Sequence, residues 1–320
     1  MENQKTLHLS TISKKIVVAL LGGFLLFFLL FHMVANLCIL RNDGGEWYRA
    51  FCHFMTNPFI KVMEIVLMAA VVFHIILTVY LWIYNKTKAR PVPYKHASKT
   101  KTAAGSKLAI WTGIVIFLFL VLHFFNFYFA KFDLVKGTYL VETEKLSASM
   151  NDLQNNMSPE MEATMANLQS IYATFRSEED VNAFINKTNP TADEQDVIDF
   201  LKFQMVLDNA QNNMEQGGKY ITNLTSEDKA TIKSILPELD VEPDFYYMSR
   251  DLFHKGIYVA IYILCFVALW FHLRHAFESF FQTLGLNNYK YNRAIEVVGI
   301  AYSWIVCLGF ALVAVASFLL

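Results

Sequence analysis

Five apolar runs decide what this chain can fold into. They lie near residues 16–40, 58–84, 108–130, 256–281 and 295–320, and each is long enough to cross a hydrocarbon core of ~30 Å, which takes roughly 20 helical residues. Backbone groups inside such a core must bond within their own segment, so the runs read as helices. With 55% hydrophobic residues and 28 Phe among 320, the bilayer is the main solvent. The expected fold class is an all-α integral membrane protein, a bundle of five transmembrane helices. The first run follows Lys14 and Lys15 but is longer than a signal-peptide core and lacks a small-residue cleavage site, so it is expected to be retained.

Short-loop charge sets the orientation. Between runs two and three stand Lys86, Lys88, Arg90, Lys95, Lys99, Lys101 and Lys107, with no acid among them. That loop is expected inside, as is the N-terminus, and so is the 282–294 loop with Lys290 and Arg293. Parity then puts the 41–57 loop, residues 131–251 and the C-terminus outside. The chain accordingly divides into a membrane part at 1–136, an outer insert at 137–250 and a second membrane part at 251–320. Residues 131–251 hold 22 acids against 10 bases, and no basic footprint for nucleic acid is present. Cys38, Cys52, Cys265 and Cys307 form neither C-x-x-C nor C-x-x-C-H, which argues against zinc, iron–sulfur and covalent c-type haem. Cys38 and Cys52 could both reach the oxidising side and pair, although two isolated thiols is the plainer reading.

Four of the runs carry a histidine at depth. His32 lies 17 residues beyond Lys15 and His123 lies 16 beyond Lys107, about 25 Å along helices running outward. His272 lies 17 residues beyond Lys255 on a helix running inward, and His74 lies 12 before Lys86. The four therefore sort into an outer storey, His32 with His123, and an inner storey, His74 with His272. A single membrane histidine most simply donates to a neighbouring backbone, because an unsatisfied ring nitrogen is costly there. Four on four runs, matched in depth two by two, fit bis-imidazole ligation of two b-type haems better. Zinc or di-iron would need further carboxylates or thiolates at the same depth, and a proton relay would need core acids, whereas Glu64 and Glu278 sit near opposite ends of their helices.

The remaining signals are local. Gly22 and Gly23 let a neighbouring helix approach closely or make room for a flat macrocycle. The outer loop NDGGEWYRAFCHFMTNP reads as an interfacial aromatic belt or as a site formed by Glu46, Trp47, Arg49 and His53. In the insert, Thr191 with Glu194 fits a capping box before DVIDFLKFQMVLDNAQ, a helix closed by Gly217 and Gly218. Ser158-Pro159-Glu160 and Thr225-Ser226-Glu227 open two more helices. The insert is expected to be mostly α-helical.

In their order, FLLFHMVANL, VFHIILTVYLW, FLVLHFFNFYF and FHLRHAFESFFQTLGLNNYKY resemble a known family. It is the dihaem cytochrome b membrane anchor of succinate dehydrogenases and fumarate reductases, in its single-polypeptide, five-helix form. The resemblance covers residues 10–130 and 251–320. It implies that His272, thirteen residues before Gly285, ligates the inner haem with His74, and that His32 and His123 ligate the outer one. Arg274, His275 and Lys107 become propionate partners, and Glu46 the group exchanging protons with a quinone, menaquinone in this family, near Trp47, Arg49 and His53. The implied partners are a flavoprotein subunit holding the succinate/fumarate site and an iron–sulfur subunit, with membrane lipid around the anchor. The implied location is the bacterial cytoplasmic membrane. The chain departs from the family at Ala276, where Gly is common, and in the large insert. A competing reading is a membrane receptor or sensor with residues 131–251 as an outer ligand-binding domain.

Overall fold

The computed structural model describes residues 10–89, 104–175, 177–215 and 218–319. Arg90, Lys95, Lys99, Lys101 and Gly217 lie outside them. Two compact units form, one from Met1–Leu122 with Arg250–Leu320 and one from His123–Ser249.

The first unit contains α1 (Thr11–Leu37), α2 (Glu46–Phe54), α3 (Pro58–Tyr84) and most of α4 (Ala104–Asn126). Among the described residues, five helical segments are long and apolar enough to cross a membrane: Thr11–Leu40, Pro58–Lys88, Leu108–Asn126, Gly256–Thr283 and Asn292–Leu319. The chain is therefore a membrane protein by length and composition of its helices. Local signals set their ends. Ser10 Oγ accepts the Ser13 amide at 3.1 Å to start α1. Asn57 Oδ1 accepts the Phe59 amide at 2.9 Å, and Pro58 occupies the first turn of α3, where a missing N–H costs nothing. The third run stops at Asn126, earlier than its apolarity suggests. Phe127 leaves helical geometry at φ −135°, and Tyr128–Phe132 forms a 3₁₀ turn instead. The outer loop also departs from expectation, because Gly44 and Gly45 take φ of 64° and 88° and launch the short helix α2. No disulfide joins Cys38 to Cys52.

The second unit opens with β1 (Tyr139–Glu142), followed by α5 (Thr143–Asn155), α6 (Pro159–Tyr172), α7 (Glu178–Ile185) and α8 (Ala192–Glu215). Then come β2 (Tyr220–Leu224), α9 (Ser226–Ile235), β3 (Glu242–Pro243) and α10 (Phe245–His254), whose last turn belongs to the first unit. The expected capping box is made, and a second one opens α9. Thr191 and Glu194 exchange bonds at the start of α8, and Thr225 at the start of α9 does so with Asp228. The all-α expectation misses a small antiparallel sheet of order β2-β1-β3. Its central strand is only YLVE, buried along most of its length and so without the alternation that marks a half-exposed strand. Tyr139, Val141 and Ile221 of the sheet meet Phe203 of α8 and Ile232 of α9 in a core of the unit's own.

The remaining helices, α11 (Gly256–Thr283) and α12 (Asn292–Leu319), complete the first unit. α1 packs against α3, α11 and α12. Helices in lipid gain little from burying apolar side chains against one another, so close approach matters more. A Cβ on Gly23 would run into the Phe280 ring, and one on Gly309 into the Met33 thioether. Gly299 lets Phe277 approach, with Cδ1 at 3.0 Å from where a Cβ would stand. Tyr302 Oη donates to the Leu26 carbonyl at 2.6 Å, tying α12 to α1. Beyond α11, Gly285 at φ 71° lets the Leu286 amide reach back to the Phe281 carbonyl at 2.9 Å, the 6→1 bond of a Schellman end.

One electrostatic cluster joins three side chains of the second unit. Lys229 Nζ donates to both oxygens of Asp133 at 2.7 and 2.9 Å, and Tyr139 Oη donates to Oδ1 at 2.9 Å. The Lys229 bond, aided by Tyr139, holds the Asp133 carboxyl below its ordinary value of 3.8. A carboxyl depressed on folding stabilises the fold above its unfolded value, and that contribution disappears as pH falls through the folded one. Amide exchange of β1 and β2 in the full chain should therefore accelerate as pH drops below about 4, after correction for intrinsic rates. Asp133→Asn should show weaker protection at neutral pH and a smaller acid-induced change.

Candidate functional site

The four predicted histidines are all half-buried, and two of them occupy matching settings in the first unit. His74 projects from α3 toward α1 where α1 has no side chain: a Cβ on Gly22 would lie 3.5 Å from His74 Cε1. His272 projects from α11 toward α4 at Gly113, whose Cβ would lie 3.7 Å from His272 Cε1. Each imidazole thus faces a glycine notch on a neighbouring helix. The two rings are within electrostatic range of each other.

Their polar partners differ. His272 Nδ1 lies 3.3 Å from Thr112 Oγ1, one residue before its glycine. His74 Nδ1 is buried and has no hydrogen-bond partner, although the ring lies beside the Val18 backbone. A buried polar atom without a partner is uncommon and costs roughly 1–3 kcal/mol. Sequence reasoning found Gly22 but passed over Thr112 and Gly113, a small pair in run three at the depth of His272 that could have been read the same way.

His32 sits in an aromatic frame. Its ring stacks on Phe28 at 5.4 Å between centroids and tilts against Phe310 at 5.7 Å. The Asn36 amide donates to the His32 carbonyl at 2.7 Å and reaches 3.4 Å from Nδ1, while Tyr48 Oη of α2 donates to Asn36 Oδ1 at 3.4 Å. His123 belongs to the second unit, where its ring packs at 5.2 Å from Phe127.

The predicted flanking residues take varied positions. Arg274 stays on its own helix, 3.8 Å from Glu278 and with its guanidinium 5.9 Å from the Trp270 ring centroid. His275 is half-buried one turn beyond His272, and the side chain of Lys107 lies outside the described residues. On α2, Glu46 is exposed in the first turn, favourably placed at a helix N-terminus. Trp47 is exposed and half stacked under Arg41, whose guanidinium lies 5.3 Å from its ring. Arg49 turns inward and is buried, donating Nη1–H to the Gly44 carbonyl at 2.9 Å, so it closes the turn that launches its own helix. His53 is half-buried in the last turn, with its carbonyl accepting from Thr56.

Among the described residues, no three His, Cys, Asp or Glu side chains gather where they could share a metal ion. Comparison with known proteins finds no matching family model, no matching curated protein and no matching solved structure.

The glycine notches have a measurable consequence. An Ala Cβ at either position would meet its imidazole at ordinary contact distance, but a Leu would have to displace the ring. Gly22→Leu and Gly113→Leu should each lower stability by roughly 1–3 kcal/mol through overpacking, while Gly22→Ala stays near wild type. Thermal unfolding in detergent reads the difference.

Proposed function

We propose that the chain is the dihaem cytochrome b membrane anchor of a succinate:quinone oxidoreductase or quinol:fumarate reductase, seated in a bacterial cytoplasmic membrane. The observation that supports this most is the matched pair His74 against Gly22 and His272 against Gly113. A flat macrocycle between helices needs an imidazole on each side and helix surface without side chains beside it. His74 Nδ1 is buried without a hydrogen-bond partner, which leaves that ring nitrogen unsatisfied. These residues fit a b-type haem.

His74 and His272 would hold the inner haem. His32 and His123 would hold the outer one, a pairing that rests on their depth in the sequence. When bound, the two haems supply one-electron transfer between an iron–sulfur partner on the inner side and a quinone. The chain's own residues supply the setting. The glycine notches keep the inner imidazoles oriented, and Phe28 and Phe310 exclude water around His32. Arg274, His275 and Lys107 are placed by sequence toward the inner end, where cationic groups would meet propionates.

The quinone, menaquinone by the family resemblance, would react on the outer side near α2. Glu46 is the proton-exchanging carboxylate in this reading, being exposed and in the first turn of α2. Trp47 and His53 would line the site, and Arg49 would contribute by holding the turn beneath it. The positive-inside rule supports the N-terminus and the 282–294 loop facing the cytoplasm and the second unit facing outward. Succinate or fumarate chemistry would belong to a flavoprotein partner.

A reduced-minus-oxidised spectrum of the purified protein should show two b-type haems. His74→Ala and His272→Ala should remove one and the same haem, and His32→Ala and His123→Ala the other. Protein purified from haem-replete cells without haem absorbance would overturn the assignment. With both haems retained, Glu46→Gln should slow quinone-coupled turnover by about 10²–10⁴-fold if its proton transfer limits the rate. Unchanged turnover would move the quinone site elsewhere.

A further inference from the structure

Among the described residues, Thr112 meets the His272 imidazole through a polar atom, and its hydroxyl has already been committed. Thr112 Oγ1 lies 3.1 Å from the Leu108 carbonyl and 3.1 Å from the Ala109 carbonyl, four and three residues back along α4. A carbonyl can only accept, so the single hydroxyl proton points at this backbone pair. What Oγ1 presents to His272 Nδ1, 3.3 Å away, is a lone pair. The imidazole must then donate, and its proton must sit on Nδ1. Thr112 is itself buried at 8% exposure, so no water competes for the contact.

We infer that Thr112 is a positioning residue that fixes His272 as the Nδ1–H tautomer, leaving the Nε2 lone pair free to ligate iron and making it a stronger donor. This rests on the haem reading above. The physical basis is general: the hydrogen bond made by one imidazole nitrogen decides which nitrogen carries the metal and raises the basicity of the ligating one. His74 has no counterpart, since its Nδ1 is buried without a partner and the α1 surface opposite is Gly22. The two ligands of one storey would therefore be held unequally, His272 with a side-chain hydroxyl at Nδ1 and His74 with none there.

A ligand that donates more electron density favours the ferric state, so removing the acceptor should raise that haem's reduction potential. The test is a redox titration of the purified full chain, followed by absorption, for wild type, Thr112→Val and Thr112→Ser, with His272→Ala identifying which haem signal is concerned. Thr112→Val keeps the shape and deletes the lone pair; Thr112→Ser restores it. The expected result is a positive shift confined to the haem that His272→Ala removes, reversed in Thr112→Ser. Loss of that haem in Thr112→Val with retention in Thr112→Ser supports the same role. A Thr112→Val potential equal to wild type, or a change that Thr112→Ser fails to reverse, overturns the inference and leaves the haem assignment standing. A wild-type protein without haem overturns the functional reading itself and this inference with it.

Discussion

A helix in hydrocarbon has met all its own backbone needs before it touches another helix, and its neighbours offer apolar surface no better than lipid. What holds the first unit together must therefore come from fit and from a few polar bonds at depth. α1 supplies much of both. Its Gly23 admits the Phe280 ring, its Met33 fills the space left by Gly309, and its Leu26 carbonyl takes the Tyr302 hydroxyl. These contacts reach α11 and α12 from three positions along α1. The same helix turns Gly22 to His74, so the small residues that let helices approach also create the space in which an imidazole can lie.

That double use bears on how polar groups are tolerated here. A ring nitrogen in the membrane needs a partner, and the chain finds one from close by wherever the backbone offers it. Thr112 bonds its own turn while facing His272, and Ser303 Oγ donates to the Gly299 carbonyl at 2.7 Å one turn back. Asn36 likewise bonds the carbonyl of His32, four residues before it, while facing that ring. Through Tyr48 this last link extends to α2, so that short helix is tied to the same residue that depth alone singles out in run one. The proposed quinone helix and the proposed outer ligand share a hydrogen-bonded neighbour within a single unit.

Much of this was legible from residue types. The five spans follow from length and apolarity, and the helix starts at Asn57, Thr191 and Thr225 follow from side chains that can cap. Gly285 was visible as a landmark, and its reason appears in the backbone: only a residue without Cβ takes φ 71° at little cost. Other features were hidden for physical reasons. α2 depends on two left-handed glycines, which a sequence announces only as a turn. The strands are short, and the central one is buried along its length, so neither period 2 nor period 3.6 marks it. In the sequence Arg49 reads as a member of the loop site with Glu46, but its length allows it to fold back onto Gly44, a contact between backbone and side chain that no spacing rule encodes.

The sheet also explains how a chain can carry over a hundred residues between two spans. β1 is the central strand, and its partner on one side is β3, the last strand of the unit. Tyr139 pairs with Pro243 and Leu140 with Glu242, and the Asp244 amide donates to the Thr138 carbonyl at 2.7 Å. The point of entry and the point of exit of the insert are thus hydrogen-bonded neighbours. Insertions are tolerated when their ends lie close together, because the host chain then meets a loop closure no longer than a turn would impose. With Phe203, Ile221 and Ile232 in a core formed by residues of the second unit, the insert adds a fold of its own.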